Sequence, residues 1–142
     1  MNAIDFLTKE HDQVRDMVAD ISDESHQYTT KRKIFDHLAK NLLRHEKMEH
    51  KVWYPHFKNK LPDTVKHLIK EEHGAEKAIH KLNELKSETA WEKHFLKFKD
   101  DVEHHAAEEE NELFPEVKKI LSKTELDEIG LKMYEFKKQH PN

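Results

Sequence analysis

The chain has 142 residues, of which 35% are hydrophobic, 38% are charged, two are glycine and four are proline. So few turn-forming residues exclude a sandwich or barrel of many strands, because hairpins need such residues at frequent intervals. The formal net charge of −4 gives no basic excess for nucleic acid, and the lack of cysteine excludes disulfides and thiolate metal sites.

Apolar residues recur every three or four positions along almost the whole chain, which is the period of an amphipathic helix. The first helix is predicted from about Asn2, a candidate N-cap, to about Ile21. A polar connection over 22–30 precedes a long second helix. We expect Pro55 to kink or end that helix, because proline lacks the N–H that continues the hydrogen-bond ladder.

The second half of the chain repeats this organisation. Pro62 suits the first turn of a third helix, and a fourth helix runs until it meets Pro115. Four long helices with short connections predict an all-α fold, an up-down-up-down four-helix bundle over about 3–120. A short amphipathic C-terminal helix is predicted over about 123–138, and residues 1–142 are expected to form a single domain.

A short internal repeat lies on the second and fourth predicted helices. Residues 44–55 read RHEKMEHKVWYP, and residues 104–115 read HHAAEEENELFP. Each copy has a glutamate four residues after a histidine, and an aromatic–proline pair whose proline lies six residues after that glutamate. Two such copies suggest that two helix pairs face each other across one central site.

Histidine is unusually frequent, with 13 in the chain, and several histidines and glutamates interrupt the apolar stripes of the helices. Because those stripes must face the core, these side chains are expected to be buried. Each unpaired buried charge costs several kcal/mol, and a small domain has only about 5–15 kcal/mol of stability. We therefore predict a metal ion that pairs with the following residues: His11, His45, Glu49, His105 and Glu109.

Imidazole nitrogen and carboxylate oxygen without sulfur suit iron, manganese or zinc. The spacing of four residues puts each histidine and its glutamate on one helix face, and a carboxylate can bridge two metals. A fourth imidazole is expected from the third helix, where His73 is the leading candidate and His80 the alternative.

The pattern resembles the hemerythrin-like (HHE) family over about residues 3–120. The matching positions are His11, His45-x-x-x-Glu49 followed by YP, His73 after two glutamates, and His105-x-x-x-Glu109 followed by FP. The resemblance implies a centre of two non-haem irons inside a four-helix bundle. It implies His11 and His45 on one iron and His73 and His105 on the other. Glu49 and Glu109 then bridge the irons, together with an oxo or hydroxo group.

One position departs from the family pattern. Hemerythrins carry a second histidine four residues after that of the third helix, and this chain has Lys77 there. The departure leaves a coordination position for Glu46, His80 or water, although we expect Glu46 to be solvated. An open position favours small-molecule chemistry over the protected, reversible oxygen adduct of an oxygen carrier.

The first functional interpretation is a di-iron protein that binds dioxygen, nitric oxide or peroxide, for storage or sensing. An enzyme on the same centre is the main alternative, either removing peroxide or nitric oxide or repairing iron–sulfur clusters. An iron-responsive regulatory module and a zinc-bound structural bundle also remain open. A ferritin-like site is disfavoured, because no glutamate is followed by histidine three residues later.

No apolar run approaches the ~18 residues of a membrane span, and the first twenty residues carry charges every few positions. We therefore expect a cytoplasmic protein without membrane or nucleic-acid partners. The sequence does not identify a protein partner.

Overall fold

The structure, a computed structural model, describes residues 1–141, and all regular elements within that range are helical. The helices are α1 (Ala3–Ile21), α2 (Tyr28–Met48), α3 (Pro62–Glu84), α4 (Glu88–Glu108), α5 (Phe114–Ile120) and α6 (Lys123–Gln139). The predicted all-α bundle with a C-terminal helix is confirmed. No helix in the described range has the length and apolarity needed to cross a membrane.

The helix starts follow the capping residues of the sequence. The side chain of Asn2 accepts a hydrogen bond of 2.8 Å from the backbone N–H of Asp5, and Pro62 opens α3 as predicted. The Ser87 side chain caps α4 by accepting a hydrogen bond from the backbone N–H of Ala90. Helix α2 begins at Tyr28, two residues before the predicted end of the first connection.

The bundle consists of two helix pairs, α1 with α2 and α3 with α4, and α6 packs mainly along α1. Gly130 allows α6 to approach the start of the chain closely, because a Cβ atom there would lie 2.3 Å from the carbonyl oxygen of Met1. Contacts between the two pairs, α2 with α3 and α1 with α4, are sparser. The space between the pairs is where polar side chains are accommodated.

The core has two apolar layers with a polar layer between them. One layer joins the start of α1 to α6 and to the end of α2, and it contains Leu7, Met48 and Trp53. The other joins the C-terminal parts of α1 and α3 to the N-terminal parts of α2 and α4. It contains Val14, Phe35 and Trp91, with the rings of Trp91 and Phe95 stacked at 5.3 Å. The polar layer holds the interrupting residues of the stripes: Glu10, His11, His45, Glu46, Glu49, Glu72 and Glu109.

Candidate metal centre

Both repeat segments form a wide helical turn at the same position. A π-helical turn begins at Glu49 and extends to Trp53, and an equivalent turn extends from Glu109 to Leu113. In each turn the carbonyl of the glutamate accepts a hydrogen bond from the residue five positions later, Tyr54 or Phe114. Such turns are rare in proteins and often occur at functional sites. The repeat in the sequence is therefore also a repeat in backbone conformation.

The prolines of the two repeats have different outcomes. After the first wide turn the helix ends in a 3-10 turn, Tyr54–His56, which contains Pro55 as expected. After the second wide turn the chain continues through Pro115 as helix α5. A helical proline leaves one carbonyl without its usual donor. The wide turn that precedes each proline shifts the hydrogen-bond pattern where that donor is missing.

Five of the six residues predicted as metal ligands converge in the polar layer. Glu49 and Glu109 are both 0% exposed. Their carboxylates meet the histidine Nε2 atoms at 3.3 Å for His45 to Glu49, 2.7 Å for His105 to Glu109 and 3.7 Å for His11 to Glu109. The five residues therefore come from three helices, α1, α2 and α4, and from the wide turns that follow two of them.

The donor atoms fall into two groups that share one carboxylate. His11, His45 and Glu109 each offer an atom within 4.8 Å of the others, and Glu49, His105 and Glu109 do the same. A shared carboxylate between two groups of donors is the arrangement that a pair of adjacent cations needs. Each of the two groups therefore has donor types that could hold a metal ion.

In each of the three histidines the ring nitrogen Nδ1, which faces away from the centre, is bound by a carboxylate. The Nδ1 atom bonds to Glu110 at 2.8 Å for His11, to Glu10 at 2.9 Å for His45 and to Glu71 at 2.9 Å for His105. A hydrogen bond from Nδ1 to a carboxylate leaves the Nε2 lone pair directed at the centre. Metal-binding histidines generally have such a partner, which fixes the ring and raises its basicity.

The atoms that face the centre are buried and contact one another at 2.7–3.7 Å, but none of these contacts has the geometry of a hydrogen bond. They are Nε2 of His11, His45 and His105 and both carboxylate oxygens of Glu49 and Glu109. Buried polar groups are almost always paired, and leaving one unpaired costs about 1–3 kcal/mol. A set of imidazole nitrogens and carboxylate oxygens that lack partners only on their inner side fits a cation bound among them.

The pKa values of the metal-free cluster also fit a cation bound among these donors. Burial raises the pKa of the Glu49 carboxyl well above its usual range, and the nearby Glu109 carboxylate raises it further. Although burial opposes the charged form of His105, its contacts with Glu109 and Glu71 raise the pKa of the imidazole to about 10. Protons therefore hold the positions between these donors, and a bound cation would have to displace them.

The structure does not bring His73 to the cluster. This histidine is exposed on α3, and His80 is exposed as well. The residue of α3 that faces the centre is Glu72, whose Oε2 lies 4.0 Å from Nε2 of His105. Glu72 also accepts hydrogen bonds from the hydroxyl of Tyr54 and, at 2.7 Å, from Nε2 of His50.

The periodicity of α3 could have identified Glu72. The buried residues of that helix are Val65, Leu68, Glu72, Ile79 and Leu82, spaced by three, four, seven and three positions. Glu72 thus continues the apolar stripe in the same way as the glutamates of the other helices. The likeness to the family pattern pointed instead to the neighbouring histidine.

Glu46 is buried, which contradicts the expectation that it is solvated. It lies one residue after His45, on the side of α2 that faces α3, and its Oε2 has no hydrogen-bond partner. Burial raises the pKa of Glu46 to about 9, and the carboxylates of Glu72 and Glu76 contribute in the same direction. Lys77, which stands where hemerythrins carry a histidine, is exposed.

A cavity of about 570 Å³ connects the cluster with the surface between α2, α3 and α4. Its inner end is lined by His45, Glu49 and Glu72, and its walls by apolar residues that include Leu42, Phe98 and Val102. The outer end is lined by exposed charged side chains, Lys77, Lys81, Lys97 and Asp101, and the last two form an ion pair at 3.0 Å. The centre is therefore accessible to small solutes through an apolar passage with a charged mouth.

Comparisons with known proteins agree with this arrangement. The family model of the hemerythrin HHE cation binding domain matches residues 2–117. Among solved structures, the chain is similar to a hemerythrin HHE cation binding domain-containing protein from Mycobacterium kansasii. The identity is 23% and the TM-score 0.88, with 99% of this chain and 87% of that one covered, which supports the fold. No significant match is found among curated proteins.

Proposed function

Because the chain belongs to the hemerythrin HHE cation-binding domain family, whose domain binds metal, we propose that its polar layer holds two non-haem irons. One iron would be held by His11 and His45 and the other by His105, with Glu49 and Glu109 between them. On α3 we propose Glu72 as the donor in place of the expected His73.

The observation that carries this proposal is the difference between the two ring nitrogens of each of the three histidines. Each ring is bound at Nδ1 by a carboxylate, and each Nε2 is buried without a partner beside Glu49 or Glu109. A purely structural polar layer would satisfy both sides of each ring. The donor set of nitrogen and oxygen suits iron, manganese and zinc, and the family resemblance selects iron among them.

We propose that the bound pair takes up dioxygen or a related small ligand, nitric oxide or peroxide. A pair of irons supplies the electrons for binding or reducing such a molecule. The chain itself provides a passage from the surface, whose apolar walls include Leu42, Phe98 and Val102. The cytoplasm is the proposed location.

An enzyme that removes peroxide or nitric oxide is the second candidate, and the size of the cavity favours it. A space of about 570 Å³ far exceeds what one diatomic ligand fills, and it reaches the surface. An accessible centre admits substrate and releases product readily, whereas reversible carriage of oxygen needs a closed, dry pocket. The cavity lies where exposed Lys77 replaces a ligand of true hemerythrins.

Iron content and a visible spectrum of aerobically purified protein test the proposal. We expect about two irons per chain, and charge-transfer bands that bleach on reduction. Bands that return unchanged over cycles of air and reductant indicate reversible binding, and return to an altered oxidised form indicates turnover. A colourless protein that takes up no iron anaerobically would refute both candidates and leave the zinc-bound bundle.

Two neighbouring residues provide a matched pair of variants for α3. Glu72→Ala should lower the iron content or weaken binding of the second iron, because the buried carboxylate beside His105 is lost. His73→Ala should retain two irons, because His73 is exposed. The reverse result would restore the original assignment of His73. Loss of helix content on chelation in either variant would favour an iron-responsive module.

A further inference from the structure

A second group of histidines and glutamates lies at the surface, where α3 faces the end of α4. It consists of His67, Glu71, His104 and Glu108, called here the surface cluster. Both histidines are exposed and both carboxylates are half-buried. Donor atoms of His67, Glu71 and Glu108 lie within 4.8 Å of one another.

The surface cluster is made of two histidine–glutamate pairs with the spacing of four residues, one on each helix. Nε2 of His67 lies 3.5 Å from Glu71 and 2.9 Å from Glu108. Nε2 of His104 lies 3.8 Å from Glu71 and 3.7 Å from Glu108. Tetrahedral zinc with bonds of about 2.0–2.1 Å separates its donors by about 3.3 Å. The two distances of His67 bracket that value, whereas those of His104 are longer, so that His67, Glu71 and Glu108 form the tighter set of donors.

The carboxylates of the surface cluster are already held in place. One oxygen of Glu71 accepts the hydrogen bond from Nδ1 of His105, so that its other oxygen is directed at the two exposed histidines. Oε2 of Glu108 is enclosed and has no hydrogen-bond partner. Little ordering is therefore needed for these two donors to bind a cation, because their positions are fixed before it arrives.

We propose that the surface cluster is a third cation site, which takes a divalent transition metal such as Zn²⁺ or Fe²⁺ and passes it to the buried centre. Imidazole and carboxylate donors select such a metal over calcium or magnesium. The exposure of the two histidines makes the ion exchangeable with solvent.

The position of the cluster supports the delivery step, which rests on the proposed metal binding at the buried centre. Glu71 and His104 line the same cavity as Glu72 and His105. An ion leaving the cluster therefore meets the next carboxylate on α3 and the next histidine on α4. His67 and Glu108 line a separate pocket, so that Glu71 and His104 are the residues that join the surface cluster to this cavity.

Titration of metal-free protein with Zn²⁺, followed by calorimetry, tests the site itself. We expect three ions per chain in the wild type and two in His67→Ala/His104→Ala, with unchanged helix content by circular dichroism. His80→Ala is the matched control, because His80 forms an exposed pair with Glu84 at 3.3 Å on a single helix. Three ions in the double variant, or loss of one ion in the control, would overturn the site.

The rate at which Co²⁺ reaches the buried centre, followed by its visible absorption, tests delivery. With less than one equivalent of Co²⁺, the double variant should load severalfold more slowly than the wild type and the control, with the same final spectrum. An unchanged rate would overturn delivery. If no variant fills the buried centre, the proposed function fails and delivery with it. One Zn²⁺ that binds to the wild type and not to the double variant would then still establish the surface site.

Discussion

The buried carboxyl of Glu46 makes the stability of the metal-free protein depend on pH. Burial, followed by the charges of Glu72 and Glu76, raises the pKa of Glu46 from 4.5 to about 9. Above pH 4.5 the unfolded chain releases this proton, while the folded chain keeps it until about pH 9. The folded state binds more protons over that window, so the free energy of unfolding falls as the pH rises.

Glu46→Gln removes this dependence while it preserves the shape of the side chain. Each unit of pKa difference corresponds to about 1.4 kcal/mol. At pH 7 the wild type has therefore lost up to about 3 kcal/mol that the variant retains, a large part of the stability of a small domain. The gain should be small near pH 4.5, where Glu46 is protonated in the folded chain and still half protonated in the unfolded chain.

Urea unfolding of metal-free wild type and variant at pH 4.5, 7 and 8.5 measures this difference. Glu112→Gln is the control, because Glu112 is exposed and its substitution should have little effect at any pH. A stabilisation by Glu46→Gln that is the same at all three values would refute the assignment to Glu46. So would a destabilisation at pH 7.

Four further substitutions have expected outcomes. Glu10→Ala removes the carboxylate that orients His45 and should weaken metal binding about 10–100-fold, measured by competition with a chelator. Lys137→Ala removes the contact of 2.9 Å with Glu10 and the cation–π contact with Phe6, but it leaves the bond from Glu10 to His45 and should have a much smaller effect. Equal effects would contradict the orienting role. Gly130→Ala should destabilise the protein by about 1–3 kcal/mol in thermal or urea unfolding, because its Cβ would overlap the backbone at the start of the chain. Gly74→Ala should stabilise the protein by up to about 1 kcal/mol, because open space surrounds that position in α3. The same sign for both glycine variants would refute this packing argument.

Local patterns in the sequence predict the helices and the two histidine–glutamate pairs of the candidate site. Apolar spacing and the capping residues Asn2 and Pro62 identify helices, because both act within one or two turns of the chain. The pairs His45–Glu49 and His105–Glu109 were identified because they continue apolar stripes. Their convergence in the structure agrees with that reasoning, and their role as metal ligands stays a prediction.

The choice between His73 and Glu72 shows where the local pattern was insufficient. Adjacent residues on a helix differ by ~100° in direction, so a small rotation of α3 decides which of them faces the centre. That rotation is set by packing against α4. The same limit applies to Glu46, whose burial depends on α3 lying against its side of α2.

What the sequence by itself determined is the set of helices, their order and the polar residues that had to be buried among apolar ones. These follow from periodicity and from the high energy of unpaired buried charges. Only the tertiary structure decided which carboxylates bind the Nδ1 atoms of the histidines and where the π-helical turns form. It also decided that a cavity connects the centre with the surface. Those features arise between helices distant in sequence, where no local pattern records the neighbour.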